Sequence, residues 1–181
     1  VIVKAIQKGV AIYAIHTNLD NVLENGVNSK IAEKLKLKEL KILKPKTALN
    51  QAPNIGSGIL GKLTQPMKEL DFLEYLKENM ELKMLKHTQW LGKRIAKVAI
   101  CGGSGSFLLH EAMAKNADIY ISADFKYHDF FEADKKIMIA DIGHYESERF
   151  TIELLYDLLI KNFSNFAAHC TKVDTNPIKY F

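Results

Sequence analysis

A mixed α/β fold, with largely parallel sheets flanked by helices and two related lobes, is what this 181-residue sequence predicts. Three observations carry that expectation. Runs that are apolar almost throughout, such as VAIYAI (10–15), RIAKVAIC (94–101) and KIMIAD (136–141), read as strands buried on both faces. Segments with a helical apolar rhythm separate them, among them MKELDFLEYLKENM (67–80) and RFTIELLYDLLIKNF (149–163). Strand and helix then alternate through the second half, which favours parallel strands joined by crossover helices. A strand ending in a histidine or an aspartate occurs in each half, hence the two related lobes.

In chain order, VIVKAIQKG (1–9) reads as the end of an amphipathic helix, with Val1, Ile2, Ala5 and Ile6 on one face and Gly9 as its stop. VAIYAI follows as a buried strand ending at His16, and TNLDNVLENGVNS (17–29) as a polar loop punctuated by Asn-Gly. VNSKIAEKLKL (27–37) looks helical, and LKILKP (40–45) closes as a short strand. PKTALNQAPNIGSG (45–58) holds two of the four prolines and marks a lobe boundary or an excised insertion. A strand ILGKLTQP (59–66) leads into a helix starting near Met67, and LKMLKHT (82–88) is a further strand. After the strand at 94–101 come the turn GGSGS (102–106), the helix FLLHEAMAKNA (107–117) and the strand DIYIS (118–122). A polar-aromatic segment, FKYHDFFEAD (125–134), precedes the strand at 136–141. One long helix then follows Gly143, and FAAHC (166–170) is a last short strand.

Bulk properties narrow the function classes. The chain is 48% hydrophobic and 25% charged, ordinary for a soluble globular protein. Its net charge of +4 comes from scattered lysines and not from a basic stripe, so a nucleic-acid partner is not expected. The two cysteines, Cys101 and Cys170, form no CxxC pair, which points to reduced thiols in a cytoplasmic protein. No apolar run approaches the roughly 20 residues of a membrane span.

The ends of the strands carry the chemistry. In α/β sheets ligands collect at the carboxyl ends of strands. Here those ends read HTNLD (16–20), CGGSGS (101–106), SAD (122–124) and DIGH (141–144). His144 and Glu148 stand at i and i+4, neighbours on one helical face, where an imidazole nitrogen and a carboxylate oxygen can chelate one divalent ion. The plainer reading is a carboxylate near a helix N-terminus with a surface histidine beside it. His16 and Asp20 repeat the spacing in a loop, where Asp20 is either a ligand or a helix cap, and His16 either a site residue or a core histidine. Gly103, Ser104 and Gly105 form a phosphate-cradle candidate, or simply a tight turn, since the Walker lysine and the full GxGxxG are absent. His128, among aromatic residues, is a candidate general acid/base or a packing residue.

IYAIHTNLD, CGGSGS, YISADFKYHDFFEA, IADIGHYESE and the terminal DTNPIKYF together resemble, in the same order, the Nif-three-like family, also called GTP cyclohydrolase I type-two homologs. The resemblance implies an α/β fold, a toroidal homohexamer and two divalent ions per subunit. It assigns Asp20, His144 and Glu148 as metal ligands, with Glu148 bridging, and puts His16 beside them as a ligand or an orienting group. Three features depart from the family pattern. A double-histidine block expected upstream of HTNLD has only one helix in its place, so the domain at 1–181 is read as N-terminally incomplete and short of metal ligands. The insertion found in larger members at about Pro45–Gln51 is replaced by a short connection. Ala123 stands where a glycine usually precedes the aspartate.

The function that follows is a metal-dependent hydrolase acting on a small phosphate- or nucleotide-containing substrate. Two ions about 3.5–4 Å apart would activate water, with His16 or His128 moving protons. Nitrogen and oxygen donors suit Zn, Mn, Fe, Co or Ni without choosing among them. The alternative is a non-catalytic metal-binding scaffold built as a hexameric ring.

Overall fold

The computed structural model describes residues 1–46 and 54–181. Its strands are β1 (Lys38–Pro45), β2 (Gly56–Lys68), β3 (Lys86–His87), β4 (Arg94–Ser104), β5 (Ile119–Ala123) and β6 (Met138–Asp141). Its helices are α1 (Ile2–Gln7), α2 (Thr17–Asp20), α3 (Val27–Lys34), α4 (Glu69–Asn79), α5 (Leu109–Ala114), α6 (His144–Glu148) and α7 (Thr151–Asn162). The strands form one six-stranded sheet in the order β1-β2-β4-β5-β6-β3. The mixed α/β class holds, and both halves of the chain feed this single sheet instead of building two separate lobes. Parallel pairing, expected to dominate, is confined to β4–β5–β6; β1–β2, β2–β4 and β3–β6 are antiparallel.

The central strands explain their own sequence. Val98 and Ile100 of β4, Ile119 and Ile121 of β5, and Met138 and Ala140 of β6 point to one face, where α3 and α4 cover them. Ala99 and Cys101, Tyr120 and Ile139 alternate with these and point to the other face, against Leu108, Leu109 and Ala112 around α5. Period-two alternation with both faces covered favours apolar residues at successive positions, which is why these runs are apolar almost throughout. On the covering helices the apolar residues fall at helical spacing: Val27, Ile31 and Ala32 on α3, and Phe72, Leu73 and Leu76 on α4. Each such large side chain contributes about 1.5–3 kcal/mol through burial.

Several boundaries differ from expectation, each for a local reason. VAIYAI forms no strand: Val10, Ile12 and Tyr13 are largely exposed, and no described strand pairs with them. The polar stretch after it contains the one-turn helix α2. Met67 and Lys68 still pair with Ile95 and Arg94 of β4, so α4 starts at Glu69. There the buried Glu69 carboxylate accepts the Leu91 and Gly92 amides at 2.9 and 3.1 Å. The expected strand at 82–88 shrinks to the two residues of β3. Glycines 102 and 103 continue β4 instead of turning. The helix after Gly143 is two helices, α6 and α7, separated at Arg149–Phe150. FAAHC carries no strand. Of the proposed boundary at 45–58, residues 47–53 lie outside the described residues, while Pro45 and Gly56 pair across β1 and β2. Ala123 is an ordinary buried strand residue; the left-handed backbone falls one position later, at Asp124, with φ of 58°.

Candidate metal centre

The carboxyl ends of β4, β5 and β6 meet the N-terminus of α6. Asp141, the last residue of β6, is buried and uses its carboxylate as a three-way clamp. Its Oδ2 accepts the Lys86 ammonium at 2.7 Å and the Phe125 amide at 3.3 Å, and its Oδ1 accepts the Gly143 amide at 3.1 Å. One carboxylate thus fixes the backbone next to Asp124 and next to His144. Those two side chains pair: His144 Nδ1 donates to Asp124 Oδ2 at 2.6 Å. In the neutral imidazole this leaves Nε2 as the lone-pair nitrogen. Nε2 faces Glu148 Oε1 at 3.5 Å, the i, i+4 contact that the spacing predicts.

Glu148 in turn lies over Gly103. A side chain at position 103 would push Glu148 Oε1 aside, and the φ of 66° at Gly103 favours glycine there. The Gly103 amide donates to Ser147 Oγ at 2.8 Å, tying β4 to α6. Gly102 donates to Asn28 Oδ1 at 2.8 Å, and Asn28 Nδ2 donates to the Asp20 carbonyl at 2.9 Å. Asn28, almost fully buried on α3, therefore carries the Asp20 turn to the same end of the sheet.

Electrostatics register this convergence. Burial pushes the Asp20 carboxyl up, against the pull of His16 and His144. Burial likewise raises Glu148, with His144 opposing and the charge of Asp20 adding to the rise. His144 is raised first by its hydrogen bond to Asp124, while burial works against it and Glu148, Asp124 and Asp20 add to it. Asp20, His144 and Glu148 thus each feel charges from this group, those of His16 and Asp124 among them. Among the described residues, no three His, Cys, Asp or Glu side chains already stand in position around one ion. The His144–Glu148 edge does have the right length: tetrahedral donors at about 2.1 Å from an ion sit about 3.4 Å apart.

The other sequence candidates fall as follows. His16 is exposed, caps α2 and shares a 3.2 Å contact with the Thr17 hydroxyl. His128 stands edge-on to Tyr127 on the 3-10 turn Tyr127–Ala133. Gly103 is at the cluster, but its amide is engaged by Ser147; Ser104 pairs with Ala123. The Gly105 carbonyl accepts the buried Tyr120 hydroxyl at 2.6 Å. Cys101, behind the cluster, is pushed up to about 11 by burial and is no nucleophile. A cavity of about 570 Å³ lies elsewhere, between β3 and the aromatic turn, lined by Lys86, His87, Tyr127, Phe130, Phe131 and Ile137.

Sequence reasoning missed three residues. Asp124 was visible only as the polar end of a strand. Asn28 had one signal, an amide on the apolar face of a helix. Asp141 had none beyond its place at a strand end.

A family profile described as Duf34/NIF3 (NGG1p interacting factor 3) matches residues 1–177. A GTP cyclohydrolase 1 type 2 homolog of Lactococcus lactis subsp. lactis is 32% identical over 172 residues, covering 93% of this chain and 63% of that protein. One of Streptococcus pneumoniae serotype 4 is 34% identical over 145 residues, covering 77% and 52%. The chain thus spans less than two thirds of the length of these relatives. A crystal structure of a Staphylococcus aureus hypothetical protein superposes with a TM-score of 0.89 at 26% identity, covering 99% of this chain and 72% of that one. A Bacillus cereus protein related to NIF3 superposes with a TM-score of 0.84 at 21% identity over 99% and 76%, which speaks to the fold alone.

Proposed function

The chain belongs to the Duf34/NIF3 family, and from that premise we propose that it binds two divalent ions and hydrolyses a small phosphate- or nucleotide-containing substrate. Asp20, His144 and Glu148 are the ligands in this reading, with Glu148 placed to bridge. The observation that carries it is the i, i+4 pair of His144 Nε2 and Glu148 Oε1 at 3.5 Å, with the Asp20 carboxyl, pushed up by burial, within reach of the same imidazole's charge. A cation beside these two half-buried acids would offset the cost of burying their charge, and a nitrogen and carboxylate set of this kind suits Zn, Mn, Fe, Co or Ni. The ions would supply Lewis acidity and an activated water.

The chain's own residues do the rest. Asp124 fixes the His144 tautomer, so that Nε2 presents its lone pair. Asn28 and Asp141 hold the backbones of the two ligand-bearing turns against the ends of β4 and β6. His16, exposed and within charge reach of Asp20 and Glu148, is the candidate for moving a proton. The homohexameric ring belongs to the same proposal. No helix among the described residues is long and apolar enough to cross a membrane.

The test is hydrolysis of GTP and of generic phosphate esters by the full-length protein, before and after chelation. Turnover that disappears with chelator and returns with added ion is expected. Tight ion binding without turnover would favour the non-catalytic scaffold, and sedimentation of the same sample reads the ring.

A further inference from the structure

Helix α6 has only five residues, too few to hold its own shape in water. What grips it therefore sets where His144 and Glu148 point. Ser147 and the Asp141 clamp grip it from the sheet. The opposite side is gripped by the last residues of the sequence. Successive helical residues rotate by about 100°, so Glu146 projects away from the face that carries His144 and Glu148. Glu146 is only 6% exposed, and its Oε1 accepts two hydrogen bonds, from Asn176 Nδ2 at 3.1 Å and from the Tyr180 hydroxyl at 3.0 Å. Its other oxygen, Oε2, is buried with no partner among the described residues.

We propose that residues 174–181, DTNPIKYF, form a strap that holds α6 in place, with Asn176 and Tyr180 as positioning residues acting through Glu146. The strap is folded for this task. The Asn176 amide donates to Asp174 Oδ1 at 2.9 Å, and the Ile178 amide to Asn176 Oδ1 at 3.0 Å. These two successive side-chain turns aim the Asn176 amide group and Tyr180 back at α6. The Tyr180 hydroxyl also lies close over Gly143, whose φ of 88° no side chain adopts cheaply. Residues 164–173, which lead to the strap, belong to no helix or strand, so its position is set where it docks. Without Asn176 and Tyr180 a buried carboxylate would lose both donors, and the cheapest relief is for α6 to open and hydrate it. The consequence for metal binding rests on the reading of His144 and Glu148 as ligands.

The experiment compares the wild-type full-length protein with Asn176→Ala, Tyr180→Phe and the double variant. Amide hydrogen exchange of residues 144–149 is followed without metal, and Zn²⁺ affinity by calorimetry. The double variant is expected to exchange faster in α6 with the amides of β4 and β5 unchanged, and to bind Zn²⁺ roughly 10-fold more weakly. Each single variant should fall between. Unchanged exchange in α6 would overturn the strap, and faster exchange with unchanged Zn²⁺ affinity would overturn its positioning role. If the wild type binds no Zn²⁺, the ligand reading fails separately, and α6 exchange alone decides for or against the strap.

Discussion

The two His-x-x-x-acid pairs of this chain share a spacing and differ in everything else. In the pair His144/Glu148, Nδ1 is held by Asp124, Nε2 sits 3.5 Å from the carboxylate, and the helix is tied down through Asp141, Ser147 and Glu146. In the pair His16/Asp20, the imidazole is exposed and shares a hydrogen bond with Thr17, and Asp20 is held at its backbone carbonyl by Asn28. The i, i+4 rule places two side chains on one side of the chain; it does not aim them. Aim comes from the elements packed behind the turn. In the proposed metal site, the first pair would be the preorganised half and the second the half that an ion draws in.

The largest expected effect comes from breaking the anchored half. Asp141→Ala leaves the Phe125 and Gly143 amides and Lys86 without their acceptor and should cost about 3 kcal/mol in denaturant unfolding. Asp20→Ala, by contrast, should leave stability nearly unchanged while weakening ion binding, and an equal loss of stability in both variants would erase the distinction.

Next is Glu148→Gln. Burial raises the Glu148 carboxyl, so in the fold its ionised form is disfavoured. A group whose folded value is raised contributes stability that is present below its unfolded value and lost as pH rises through the folded one. Without metal, Glu148→Gln should therefore melt higher than wild type near about pH 7, with the gain vanishing near about pH 4. Its ion affinity should fall by more than the roughly 10–100-fold typical of outer partners. A variant that is destabilised at neutral pH and binds ions normally would contradict the assignment.

Asp124→Asn probes the orienting bond. The His144 imidazole is raised chiefly by that bond, so its stabilising contribution is present at low pH and lost as pH rises through the raised value. The variant should lower the His144 titration midpoint, read by NMR, at a stability cost below about 1 kcal/mol, because the pair is half exposed. The smallest effect on stability belongs to His16→Ala, within about 0.5 kcal/mol, with its loss read in turnover and in the pH profile of turnover.

How much of this was legible follows the same division. Central strands β4, β5 and β6 were readable because burial on both faces leaves an apolar run with no ambiguity of face. VAIYAI has the same composition, yet among the described residues it finds no neighbouring strand. An apolar run states a demand for burial, not the identity of what meets it. The helix after Gly143 was legible in its rhythm but not in its break at Arg149–Phe150, since HYESE carries no apolar stripe whose phase could mark a break. His144, Glu148 and Asp20 stood out as candidates through residue type, spacing and the family resemblance. Asp124, Asn28 and Asp141 were not, because they act through backbone amides and imidazole nitrogens that only the tertiary fold brings near.

The most direct measurement is an anomalous difference map from crystals of the full-length protein soaked in Mn²⁺ or Zn²⁺. A peak within about 2.0–2.2 Å of His144 Nε2 and a Glu148 oxygen, with the Asp20 carboxylate closing on it, is the predicted result. Ions bound only elsewhere, or a peak at α6 that Asp20 never approaches, would contradict the shared site.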